Sequence, residues 1–82
     1  MIWFYERNTE SLRIETRYDN ERLEYVIVVH EVDRAPQTER FTDVEVFRAR
    51  LVALERRIES ERWKPKGSPI ILPDGWPHRR PI

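Results

Sequence analysis

The chain has 82 residues, of which 39% are hydrophobic and 37% charged, and its 15 basic side chains balance 15 acidic ones. This length predicts a single small domain, and the zero net charge disfavours a generic binder of nucleic acid or of acidic membranes. The chain has no cysteine, which excludes disulfide bonds and cysteine-ligated metal sites.

The N-terminal segment carries two strand patterns. Residues 2–7 are short and rich in aromatic side chains, and polar turn residues follow them, which is typical of a strand that ends in a hairpin. The next segment alternates, with Leu12, Ile14, Thr16 and Tyr18 on one side and Arg13, Glu15 and Arg17 on the other. This alternation predicts a second strand with one solvated face.

Two further strands are predicted before residue 42. Residues 23–32 contain a run of β-branched side chains from Val26 to Val29, which indicates a central strand that is apolar on both faces. A turn at residues 33–36 leads into residues 37–41, which are shorter and more polar, as an edge strand is. The connections are short, so we expect the four strands to pair antiparallel as a meander.

A helix is the clearest local prediction. Thr42 to Glu45 form a capping box with Thr42 as the N-cap, and Phe41 is expected to contact Val46 across it. An apolar stripe recurs at steps of three and four, at Val44, Phe47, Leu51, Leu54 and Ile58. The helix is predicted from about Asp43 to about Arg62, because Pro65 disfavours its continuation.

Residues 64–82 differ from everything before them. Prolines occur at every fourth position, at Pro65, Pro69, Pro73, Pro77 and Pro81, which predicts an extended tail. This tail retains Ile70, Leu72 and Trp76 and is too apolar for a solvated linker. Its net charge of +3 leaves −3 on residues 1–63. We expect it to pack on its own domain or on a partner subunit.

The sequence therefore predicts an α+β fold, with a four-stranded antiparallel β-meander and one long C-terminal helix on one face (ββββα) in residues 1–63, followed by an extended Pro-rich tail. One helix covers only one face of a sheet, yet the first and third strands offer apolar side chains to both faces. We expect the surplus to form an interface. The candidate interface residues are Trp3, Tyr5, Val26, Val28, His30, Ile70, Leu72 and Trp76.

The functional hypothesis is a small non-enzymatic binding or assembly module, homodimeric through the second sheet face or the tail. The chain has two histidines and no cysteine, and no serine lies beside a base in a recognisable arrangement, so we expect no catalytic residue, metal or cofactor. The N-terminal apolar run is too short for a signal peptide, and no window reaches the roughly 20 apolar residues of a membrane span. A cytoplasmic protein is expected.

Two alternatives remain. Single-stranded nucleic acid could stack on Trp3 and Tyr5 while cations on the same face meet its phosphates; the candidates are Arg13, Arg17, Lys64 and Lys66. Glu15 between the two arginines and the acidic body oppose this hypothesis. A small-molecule pocket between tail and sheet would require polar groups to converge around His30.

Overall fold

The computed structural model describes residues 1–70, which form one sheet and one helix. The elements are β1 (Ile2–Arg7), β2 (Glu10–Asp19), β3 (Glu24–Glu31), β4 (Gln37–Phe41), α1 (Val44–Ser60) and β5 (Lys64–Pro65). The strand order is β4-β3-β2-β1-β5, and all neighbours are antiparallel. The predicted α+β fold with an antiparallel sheet and one helix is thus confirmed, with a short fifth strand added at one edge.

The start of α1 differs from the predicted one. Asp43 is the N-cap, and its carboxylate accepts a hydrogen bond of 2.8 Å from the backbone N–H of Glu45. The capping box centred on Thr42 was therefore wrong by one residue, since an aspartate satisfies the first turn equally well. Val46 is 53% exposed, and Phe41 contacts Phe47 instead, with ring centroids 6.1 Å apart.

A Schellman motif ends α1 and turns the chain back towards the sheet. The N–H of Trp63 donates to the carbonyl of Ile58 at 3.0 Å, and the N–H of Arg62 donates to the carbonyl of Glu59 at 3.1 Å. Arg62 takes the left-handed conformation that this motif needs, with φ 61°. Trp63 joins Ile58 in the core, so the hydrophobic contact that accompanies such motifs is present.

The core lies between α1 and one face of the sheet. Its buried members are Leu12, Ile14, Ile27, Val29, Phe47, Leu54, Ile58 and Trp63. Trp3, Tyr5, Tyr25, Phe41 and Leu51 are partly buried and pack against them. The Tyr25 ring stacks on Phe47 at a centroid distance of 4.7 Å. We call this side of the sheet the covered face.

Residues 64–70 run along the outer edge of β1. The N–H of Lys66 donates to the carbonyl of Phe4 at 2.8 Å, and Ile2 and Ile70 exchange two backbone hydrogen bonds. Gly67, with φ 75°, lies at a bend between these two points of attachment. Leu72 and Trp76 lie outside the described residues. Within residues 1–70, α1 is not long and apolar enough to cross a bilayer.

Candidate interface on the open sheet face

The side of the sheet opposite α1 carries both apolar and charged side chains, and we call it the open face. Strand register arranges its residues in rows that cross the strands. The Phe4 row contains Phe4, Arg13 and His30; the Ile2 row contains Ile2, Glu15, Val28 and Thr38; the Val26 row contains Arg17, Val26 and Arg40. Lys66 lies beside Phe4 at the edge of the first of these rows.

The Phe4 row borders a shallow groove. The groove has a volume of about 280 Å³, and Phe4, Arg13, His30 and Lys66 are among the residues that line it. Arg13 Nη2 lies 3.2 Å from His30 Nε2. A guanidinium can only donate, so a hydrogen bond at this contact requires Nε2 of His30 to accept. The groove therefore combines an aromatic ring, two cations and an imidazole.

The apolar residues of the open face lie on β1 and β3, on either side of the charged side chains of β2. Val26 is fully buried, while Ile2 and Val28 in the adjacent row are half-buried. Arg17 and Arg40 flank Val26 across the strands, and their aliphatic stems can shield it while their charged ends stay in water. Glu15 is the one acidic residue in these two rows.

One end of the open face is fixed by the turn between β2 and β3. The Asp19 carboxylate accepts hydrogen bonds from the backbone N–H groups of Glu21 and Arg22, and it pairs with Arg40 at 3.2 Å. These hydrogen bonds, above all the one from the Arg22 N–H, hold the pKa of Asp19 below its usual range. The pairing also orients Arg40 beside Val26.

The predicted interface residues divide between the two faces. Val26, Val28 and His30 share the open face, and Ile70 lies at its edge beside Ile2. Trp3 and Tyr5 instead lie on the covered face. Both rings pack against the core, so the expectation that they share a face with Val26 is not met.

The position of Trp3 and Tyr5 on the covered face also changes which aromatic ring lies beside an arginine. Trp3 pairs across the strands with Ile14, whereas Phe4 pairs with Arg13. Sequence reasoning missed Phe4 because β1 is apolar or aromatic at consecutive positions, and such a run does not reveal which side faces the helix. The signal that could have found it is the two-residue turn after Arg7, since the resulting pairing of Arg7 with Glu10 fixes the register of the whole hairpin.

The four predicted nucleic-acid contacts do not form one cluster. Arg13 and Lys66 line the groove, whereas Arg17 lies two rows away beside Val26 and Lys64 pairs with Glu6 at the opposite end of the sheet. Glu15 separates Arg13 from Arg17 along β2, so the positive charge is interrupted. In the described part of the chain, no group of three or more His, Asp or Glu side chains is arranged to hold a metal ion.

The chain was compared with known protein families, curated proteins and solved structures. No family model, no curated protein and no solved structure matches the chain.

Proposed function

We propose that this chain is a small non-enzymatic assembly module that pairs with a second copy of itself through the open face. The observation that carries the proposal is the partly exposed apolar surface of Ile2 and Phe4 on β1 and of Val28 on β3, on either side of the charged side chains of β2. In residues 1–70 the helix packs on the other side of this sheet. A sheet with apolar residues on both faces gains stability when each face meets a second layer.

The charges on β2 favour one way of pairing two open faces. A two-fold axis that crosses the strands between the Phe4 row and the Ile2 row places Arg13 of one copy opposite Glu15 of the other. The same axis places Phe4 opposite Ile2 and His30 opposite Val28. An axis that runs along the Ile2 row would instead oppose Arg13 to Arg17, and like charges disfavour that arrangement.

The size of the open face suits a small homodimer interface. Its five strands range from two residues in β5 to ten in β2, and most of their outline fits within roughly 24 Å by 26 Å at usual strand spacings. This outline is smaller than the roughly 800 Å² that each partner buries in an interface of standard size, so the dimer would use the whole face.

The test is a reciprocal charge exchange, with mass measured by sedimentation equilibrium over a range of concentrations. We expect a dimer for the unchanged protein, a shift towards monomer for both Arg13→Glu and Glu15→Arg, and recovery of the dimer in the double variant. Arg56→Glu is the control, because Arg56 is exposed on α1, and it should leave the mass unchanged. A monomeric unchanged protein, or a double variant that stays monomeric, contradicts the proposal.

The tail offers a second route to the same assembly. A chain shortened after Ile70 keeps both backbone hydrogen bonds between Ile70 and Ile2 but lacks the apolar residues beyond them. Survival of the dimer assigns the interface to the open face. Its loss, with unchanged thermal stability, assigns assembly to exchange of residues 71–82 and contradicts pairing through the face alone.

Single-stranded nucleic-acid binding is the second candidate, and one observation favours it. Phe4 lies between Lys66 and Arg13 in its row, so a base could stack on the ring while phosphates meet the cations. We would measure the anisotropy of a labelled single-stranded oligonucleotide at low and moderate salt. Salt-sensitive binding that is lost in Arg13→Ala and Arg17→Ala supports this candidate, and no binding at low salt removes it.

A further inference from the structure

A second cavity lies on the covered face, where α1 crosses the edge of β1. It is a cleft of about 120 Å³. Ile14, Leu54 and Ile58 form its apolar interior, whereas Trp3, Tyr5 and Glu55 contribute two half-exposed rings and an exposed carboxylate. The cleft is thus small and apolar, with its polar groups contributed by a phenol, an indole and one acid.

The electrostatic character of this cleft is negative. Within residues 1–70 no basic side chain lines it, and the Glu55 carboxylate has no ion-pair or hydrogen-bond partner there. Burial, followed by the charge of Glu55, raises the pKa of the Tyr5 hydroxyl above its ordinary value, so the carboxylate acts on the phenol that borders the same cleft. The rings of Trp3 and Tyr5 line the same cleft, and the face of an aromatic ring carries a negative quadrupole.

We propose that this cleft binds an alkylated ammonium group, such as the trimethylammonium head of choline or of a trimethylated lysine side chain. Trp and Tyr ring faces attract such cations, and the apolar interior accepts their methyl groups. The cleft, of about 120 Å³, is smaller than the pockets that hold drug-sized ligands, and this suits a compact head group.

Other ligand classes fit the cleft less well. A metal ion or an unmodified ammonium is strongly hydrated, and a single carboxylate does not replace its water shell. A neutral apolar group would fill the interior but would gain nothing from Glu55. The alkylated cation uses both features, because its charge is spread over a surface that is itself apolar. The cleft opens on the opposite side of β1 from the open face, so this site does not depend on the proposed dimer.

The test is an NMR titration of the full-length protein with choline chloride, followed through the assigned indole N–H of Trp3. The assignment matters because the chain has three tryptophans. We expect a dissociation constant on the order of 1 mM, as suits a ligand of few atoms. The control ligand is the uncharged carbon analogue of choline, in which a tert-butyl group replaces the trimethylammonium group, and it should bind about tenfold more weakly.

Variants separate the charge from the shape of the cleft. Glu55→Gln should weaken choline binding about tenfold, and Tyr5→Phe should preserve it because the ring remains. Glu59→Gln removes another exposed acid one turn further along α1 and should have no effect. Equal binding of choline and its carbon analogue, or full binding by Glu55→Gln, overturns the proposal, and folding of each variant is checked by the dispersion of the same spectra.

A further titration distinguishes a modified protein from a free small molecule as the source of the cation. A peptide with trimethyllysine and its unmodified counterpart are titrated under the same conditions as choline. Tighter binding of the trimethylated peptide than of choline identifies a modified protein as the source, and equal binding identifies a free small molecule. Binding of the unmodified peptide as tightly as the trimethylated one contradicts recognition of the methyl groups.

Discussion

The covered face and the open face are built from the same strands, but they depend on different parts of the sequence. Val28 and Val29 are neighbours on β3, yet Val29 is 5% exposed beneath α1 and Val28 is half-buried on the open face. The strand that decides between the faces is β2, where Ile14 is buried and Glu15 is not. β1 and β3 are apolar on both sides, so they do not determine which face of the sheet α1 covers. β2 is apolar on one side only, and α1 packs on that side.

The covered face is also secured at both ends of its helix. At the C-terminal end, Arg57 pairs with Glu31 of β3 and with Glu61, and the Arg7 guanidinium lies 4.3 Å from the centre of the Trp63 ring. Nearer the N-terminal end, Arg50 pairs with Glu39 of β4 at 2.8 Å. Such partly exposed pairs contribute little energy each, but they orient α1 over the sheet.

The largest difference between the faces should appear when the same atoms are removed from each. Val29→Ala leaves a cavity in the core and should lower the free energy of unfolding by about 2 kcal/mol. Val28→Ala should cost about 1 kcal/mol or less, because its site is only half-buried. Urea denaturation measures both losses. Equal losses at low protein concentration would show that the open face is as fully covered as the other.

The sequence alone predicted those parts of the fold that have a clear period. The alternation in β2, the β-branched run in β3 and the apolar stripe of α1 each determine an element, because burial of one side requires that spacing. The same reasoning could not choose a face for β1, where Trp3, Phe4 and Tyr5 are all aromatic. It placed Trp3 and Tyr5 with Val26, and the hairpin register places Phe4 there.

Other features depended on contacts that a linear pattern does not contain. Thr42 and Asp43 are adjacent and both suit an N-cap, so only the backbone conformation decides between them. The cleft beside Trp3, Tyr5 and Glu55 depends on where α1 crosses β1, and the two elements are far apart in the sequence. The attachment of Ile70 to Ile2 likewise joins the ends of the described chain.

A buried hydroxyl on the covered face provides the next test. Thr16 is fully buried between strands, and its Oγ1 has no hydrogen-bond partner within residues 1–70. Thr16→Val keeps the shape and removes the unpaired hydroxyl, so it should raise the free energy of unfolding by about 1 kcal/mol. Thr38→Val, at an exposed site on the open face, should change it by less than about 0.5 kcal/mol. Destabilisation by Thr16→Val would reveal a partner for the hydroxyl, such as a buried water.

The N-cap of the covering helix gives an effect of similar or smaller size. Asp43→Ala removes the carboxylate that accepts from the N–H of Glu45 and should destabilise the protein by about 1 kcal/mol. Thr42→Ala should have almost no effect, because Thr42 lies outside the helix and is exposed. Thermal unfolding of the two variants measures the difference. A larger loss of stability in Thr42→Ala than in Asp43→Ala would show that Thr42 is the N-cap.

The smallest expected effect concerns pH at the C-terminal end of α1. The hydrogen bond from the Trp63 indole, followed by that from Arg57, lowers the pKa of Glu61. A carboxyl whose folded pKa lies below its unfolded value stabilises the fold fully above the unfolded pKa and loses this contribution as the pH falls through the folded pKa. Stability should therefore decline below about pH 5, and Glu61→Gln should make that decline shallower while lowering stability at neutral pH. Urea denaturation between neutral and acidic pH measures both slopes, and Glu59→Gln serves as the control. Because the Glu61 side chain is 36% exposed, added salt should weaken the effect. If Glu61→Gln has the same pH slope as the unchanged protein, the hydrogen bond between Trp63 and Glu61 orients the indole without coupling the stability of the fold to pH.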